Sequence, residues 1–136
     1  MPRIREPRWV SRVVVDAVHI DLIRTHGGMP GVRDEDLLES ALARARQRHT
    51  YDASADLAAL AAAYGFGPAR DHPYHDGNKR VAFVAMAVFV GLNGFELTAG
   101  EADVVTTIVA LAAGALDEDA LAEWVRQRLT PQQPQR

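Results

Sequence analysis

Apolar side chains recur along this chain at helical rather than strand spacing. Val15, Val18, His19, Leu22, Ile23 and His26 fall on one face at intervals of three and four, the rhythm of a helix with one buried side. Ser11 is placed to cap its first free amides, and Gly27-Gly28 to stop it after His26. Gly27 to Gly31 then reads as a loop. Asp34 can cap a second helix with acids in its first turn, Arg44 and Arg46 near its end, and Leu37, Leu38, Ala41, Leu42 and Ala45 as its stripe.

A third helix is predicted from Ser54 or Asp56, carrying Leu57, Leu60, Ala61 and Tyr64. Gly65, Gly67 and Pro68 interrupt it, and a proline inside a helix costs roughly 3 kcal/mol, so a kink or an early end is expected there. A fourth helix, from Asn78 or Lys79 to about Leu92, is apolar on nearly every side and is expected to be the central one. Asn93-Gly94 ends it. Thr98 and Glu101 form a capping-box pattern for a fifth helix reaching Gly114. Asp117 caps a sixth, with Leu121, Trp124, Val125 and Leu129 inward. The expected fold is all-α: a single-domain helical bundle around a central buried helix, spanning residues 1–130. Residues 131–136 are expected to form a disordered tail.

Composition narrows the function classes. The formal net charge is −3 with acids and bases interspersed, which argues against a general nucleic-acid binder, since phosphate recognition favours a basic excess. The chain has no cysteine, so disulfides and thiolate metal sites are excluded, in keeping with a cytoplasmic location. Met1 to Glu6 lacks the apolar core of a signal peptide. The longest apolar run, Val81 to Val90, is about half the ~20 residues of a membrane span.

Chemistry concentrates in His72-Pro-Tyr-His-Asp-Gly-Asn-Lys-Arg80. Gly77 allows the positive-φ turn that points successive amides one way, and the helix start adds partial positive charge. That is an anion site. Lys79 and Arg80 lie where helix electrostatics alone would prefer acids, which suggests a negative occupant. Asp76 is placed to hold a divalent cation bridging phosphates. His72 is a suitable base for a hydroxyl nucleophile, having an ordinary pKa near neutrality. Phosphoryl transfer needs these parts together.

Residues 72–80 resemble the motif of the Fic/Doc family, His-Pro-Phe-x-Asp/Glu-Gly-Asn-x-Arg, with Tyr74 in place of Phe. Lys79 before the final Arg is similar to the death-on-curing (Doc) branch. The resemblance extends to His19, to Gly27-Gly28-Met29-Pro30-Gly31, to Leu37–Leu42, to Arg70 two residues before the motif His, and to Asn93-Gly94. It implies that His72 deprotonates a target hydroxyl and that Asp76 binds Mg²⁺. Gly77, Asn78, Lys79 and Arg80 then hold the phosphates of ATP, with Arg70 added to the catalytic set. It further implies a toxin that transfers the γ-phosphate to a threonine of elongation factor Tu and blocks translation, paired with a Phd-like antitoxin.

Other readings stay open. A Fic-type enzyme, with Gly where Lys79 stands, would transfer AMP. A non-catalytic binding module could use the same fold. His75-Asp76 could belong to a phosphohydrolase metal dyad, but further ligands would be needed and His19, His26 and His49 are poorly suited. His75 is expected to be solvated, and His19 and His26 to be satisfied core residues. Arg44, Arg46 and Arg48 read as a solvated helix end, or Arg46 to Tyr51 as a flap that positions a target segment. Trp9 and Trp124 read as packing residues.

Overall fold

The computed structural model describes residues 6–133. Six helices follow one another: α1 (Arg12–His26), α2 (Glu35–Tyr51), α3 (Leu57–Asp71), α4 (Asn78–Leu92), α5 (Glu101–Ala112) and α6 (Glu118–Arg126). Four starts are set locally. Ser11, Asp34, Asp56 and Asp117 each accept a hydrogen bond from an amide three residues on, satisfying a donor that the helix cannot. Among the described residues no helix is long and apolar enough to cross a membrane.

The middle of the bundle is α3, not α4. Every residue from Ala58 to Gly65 is buried, with α2, α4, α5 and α6 packed around it. The fourth helix buries Val81, Ala82, Ala85, Met86, Phe89 and Val90 but leaves Phe83 and Val84 half-buried. The sequence favours α4 because it is apolar on nearly every side. Position favours α3 because alanine and glycine let four neighbours come close.

The early end expected at Pro68 does not occur, since α3 runs through it to Asp71. The flanking glycines are packing positions. A Cβ on Gly67 would stand 2.7 Å from Ala41 Cβ and 2.9 Å from Ala41 Cα, and one on Gly65 would stand 2.5 Å from Met86 Sδ. Close approach to α2 and α4 holds this stretch helical despite the lost proline donor.

Two short strands escaped the sequence reading. β1 (Phe95–Leu97) and β2 (Leu129–Pro131) pair antiparallel, with Glu96 opposite Thr130. Thr98 therefore does not cap α5: its hydroxyl lies 2.9 Å from that of Thr130, and the N-cap is Gly100 without a side-chain bond. The pairing also ties down the first residues expected in the tail, because Gln132 donates to the carbonyls of Gly91 and Phe95. Residues 134–136 lie outside the described residues.

Of the α2 arginines, Arg44 and Arg46 are exposed, as expected of a solvated helix end, and Arg48 is half-buried, yet all three have partners. Arg44 and Arg48 both pair with Glu118 of α6, and Arg46 lies over the Trp9 ring. His49 meets the same indole edge-on at 5.5 Å. Arg46 to Tyr51 is thus helical, with Arg46 and His49 against Trp9, and none of it lines the cavity described next. Trp9 also stacks on Phe89, while Trp124 donates to Asp103.

Candidate active site

The motif loop joins the two most buried helices, and its ends are set by opposite backbone devices. His72 is the C-cap of α3 and adopts a left-handed conformation, φ 50° and ψ 57°. Gly77 is the N-cap of α4 at φ 82°. Between them the chain is fastened to the loop after α1. Val32 forms an isolated bridge with Tyr74, and His75 N donates to the Gly31 carbonyl. Asp76 Oδ2 accepts from Met29 N at 2.6 Å. That approach needs Gly28 bare, since a Cβ there would lie 3.1 Å from Asp76 Cβ.

His19 is buried, as expected, yet it also serves the loop. Its Nε2 donates to the Asp76 carbonyl at 2.9 Å, and its ring stacks on Tyr74 at 3.8 Å. The tyrosine hydroxyl, a departure from the family's phenyl ring, has a partner in Asp16 Oδ1 at 2.8 Å. Burial, then that carboxylate, push the phenol well above its ordinary range.

One cavity of about 830 Å³ gathers the chemistry. His72, Asp76, Gly77, Asn78, Lys79 and Arg80 all line it, and His26 and His75 join them. His26 is exposed at the last turn of α1, so it is not a core histidine. Leu22, Phe83, Val84 and the α5 residues Glu101, Val104, Val105, Ile108 and Val109 continue the lining, which is apolar there apart from Glu101. The sequence places Leu22 on an apolar stripe and the others only within helices. Which stripe faces a cavity depends on packing.

Two predicted site residues stand differently from expectation. Asn78 is buried, and its side chain is tied at both ends to the main chain of Tyr74, Oδ1 to the amide and Nδ2 to the carbonyl, each at 2.9 Å. It shapes the loop and leaves only its backbone amide for a ligand. Arg70 does not line the cavity; its guanidinium lies over Phe66 at 5.0 Å, with Arg44 on the same ring at 4.4 Å.

The helix start facing the cavity is unlike the four carboxylate- or serine-capped ones. Gly77 offers no side-chain cap, and the first i→i−4 bond is Val81 N to Gly77 O at 2.9 Å. The amides of Asn78, Lys79 and Arg80 therefore have no helical acceptor. Lys79 and Arg80 are exposed and make no ion pair among the described residues. Free amides, dipole and two cations converge, which is the requirement for holding phosphate.

The donor set also fits a divalent cation that arrives with phosphates. Among the described residues no group of three His, Cys, Asp or Glu could hold a metal alone. Asp76 supplies one carboxylate, whose Oδ1 takes part in no hydrogen bond there. Magnesium is commonly held by one or two carboxylates together with substrate phosphates and water.

Fold and cavity thus define a small helical domain with an uncapped, cation-flanked helix end on its cavity. Comparison with known proteins supplies the family. The chain belongs to the Fic/DOC family, whose model matches residues 9–90, from Trp9 to the end of α4's buried face. It is 29% identical over 119 residues to "Protein kinase doc" of Escherichia phage P1, covering 88% of this chain and 94% of that one. It is 42% identical over 74 residues to "Toxin Doc" of Mycolicibacterium smegmatis, covering 54% of this chain and 57% of the other. Both relatives carry the Doc name.

Proposed function

We propose that this protein is a Doc-like toxin that transfers the γ-phosphate of ATP to a protein hydroxyl. The observation that carries the reading is the uncapped start of α4, with Lys79 and Arg80 beside it, opening on the same cavity as His72. His72 takes the proton of the attacking hydroxyl as its oxygen bonds to the γ-phosphorus. The bond from that phosphorus to the bridging oxygen breaks, and ADP leaves. The α4 amides, Lys79 and Arg80 neutralise the charge on the phosphates. Asp76 would hold Mg²⁺, which supplies further charge neutralisation when bound. Lys79 supports γ- over α-phosphate transfer because its side chain fills space that a glycine would leave open.

The family resemblance makes a threonine of elongation factor Tu the proposed acceptor, with arrested translation as the outcome, in the cytoplasm and under a Phd-like antitoxin. The test incubates the purified protein with elongation factor Tu and Mg-ATP labelled at the γ- or the α-phosphate. Label from the γ-position alone supports the reading. Label from the α-position alone replaces it with AMP transfer. Full cellular effect retained by His72→Ala would replace both with a binding module.

A further inference from the structure

Arg33 lies outside the motif, in the segment that leads into α2, yet it grips the turn that carries His72. Its Nε donates to the His72 carbonyl at 2.7 Å and its Nη2 to the Asp71 carbonyl at 2.9 Å. The backbone amides of Arg33 and Asp34 donate to the next carbonyl, that of Pro73, at 2.8 and 3.1 Å. Three consecutive carbonyls are thus held by two residues.

That grip coincides with an unusual conformation. Among the described residues His72 is the one non-glycine residue with positive φ. A left-handed residue with a Cβ is disfavoured sterically and persists where its surroundings over-determine it. At His72 the single bond from its own amide, to the Pro68 carbonyl, is long at 3.3 Å. The shorter bonds around the turn come from Arg33 and Asp34. The guanidinium also places positive charge on the last carbonyls of α3, where the helix carries its partial negative end. Relaxing this turn into the ordinary helical or extended region would re-aim the Cα–Cβ bond of His72, and with it the imidazole that lines the cavity.

We propose that Arg33 is a positioning residue, which fixes the left-handed turn at His72 and so aims the base into the cavity. The functional half of this inference rests on His72 being the base of the transfer proposed above. The structural half does not, so the two can fail separately.

The experiment compares wild-type protein with Arg33→Ala and Arg33→Lys. Isotope-labelled samples report the intraresidue amide-to-α-proton NOE of His72, which is strong when φ is positive. Kinetics report kcat and KM for Mg-ATP, and thermal melts report the folded fraction. In Arg33→Ala the His72 NOE is expected to weaken while the amides of Asn78 to Val81 stay in place. The expected kinetic effect is a fall in kcat of about tenfold or more, with KM changed less than about threefold, since a misaimed base slows chemistry without removing the phosphate site. Arg33→Lys, which reaches one carbonyl of the two, should recover part of kcat.

An unchanged His72 NOE in Arg33→Ala overturns the proposal whatever the activity. So does a loss that appears in KM, or one that tracks the folded fraction. If Arg33→Ala does not fold, Arg33→Gln, which keeps a donor on a shorter stem, takes the same measurements under the same criteria. Wild-type protein that transfers no phosphate, with the His72 NOE responding as expected, would sink the phosphoryl-transfer reading and leave the positioning role standing.

Discussion

The Tyr74 hydroxyl donates to Asp16 Oδ1 at 2.8 Å, joining the motif loop to α1. The other oxygen of Asp16 pairs with Arg12, which reaches on to Glu35 and Glu39 of α2. The departure from the family's phenyl ring is therefore the inner end of a polar chain that crosses two helices.

This arrangement predicts an order of stabilities. Tyr74→Phe removes both the hydroxyl and its need for a partner, and should cost less than about 1 kcal/mol. Asp16→Ala leaves the hydroxyl of a side chain that is 1% exposed without its acceptor, and should cost about 1–3 kcal/mol. Urea unfolding of the two variants checks it. Equal losses would mean that the hydroxyl is not what Asp16 satisfies.

Gly65 and Gly67 should respond unequally to alanine. At Gly67 the new methyl meets the Ala41 backbone, so α2 and α3 must part. At Gly65 it meets the Met86 side chain, which can turn aside. Overpacking costs about 1–3 kcal/mol, against roughly 1 kcal/mol gained from helix propensity. Gly67→Ala is expected to be net destabilising by about 1–2 kcal/mol and Gly65→Ala by less, as read from denaturation midpoints.

At the start of α4, binding and stability should move in opposite directions. Two cations there oppose the helix dipole by about 0.3–1 kcal/mol each. Lys79→Gln and Arg80→Gln should leave the melting temperature equal or slightly raised while weakening Mg-ATP by about tenfold, the effect of losing one charge-assisted contact to phosphate. Calorimetric titration at two salt concentrations checks this. Unchanged affinity in both variants would detach these cations from the phosphates.

Acid should weaken the junction of α3 and α6. Asp56 caps α3 through Ala59 N and takes a two-pronged bond from Arg126 at 2.7 and 2.9 Å. Arg126 first, and then the Ala59 amide, hold its carboxyl below the ordinary range against the opposing effect of burial. A depressed folded pKa means that the stabilisation is fully present above the unfolded value, about 4. It is lost as pH falls through the lower folded value. Asp56→Ala should cost about 1 kcal/mol near neutrality and progressively less below pH ~4. A gap that stays constant down to strong acid would exclude this linkage.

Much of the local structure was legible because it is decided within a few residues. Ser11, Asp34, Asp56 and Asp117 read as caps because a short polar side chain reaches an amide three positions on. The motif loop read as an anion site because Gly77 and the helix start are neighbours in the chain. Position along the chain put Arg70 and Asn78 beside or within the motif but did not say where their side chains go. Arg70 lies on Phe66 and Asn78 on Tyr74 because packing and main-chain bonds took their side chains first.

The amino-acid sequence by itself determined the six helices, the side-chain caps of four of them and the nine-residue motif that joins α3 to α4, since those depend on periodicity and short-range hydrogen bonds. Tertiary structure alone decided that α3 is the central helix, that β1 meets β2, that Arg33 holds His72, and that α5 closes the cavity's apolar side. Those outcomes join residues tens of positions apart, and they turn on how closely two backbones can approach, which glycine and alanine permit but periodicity does not record.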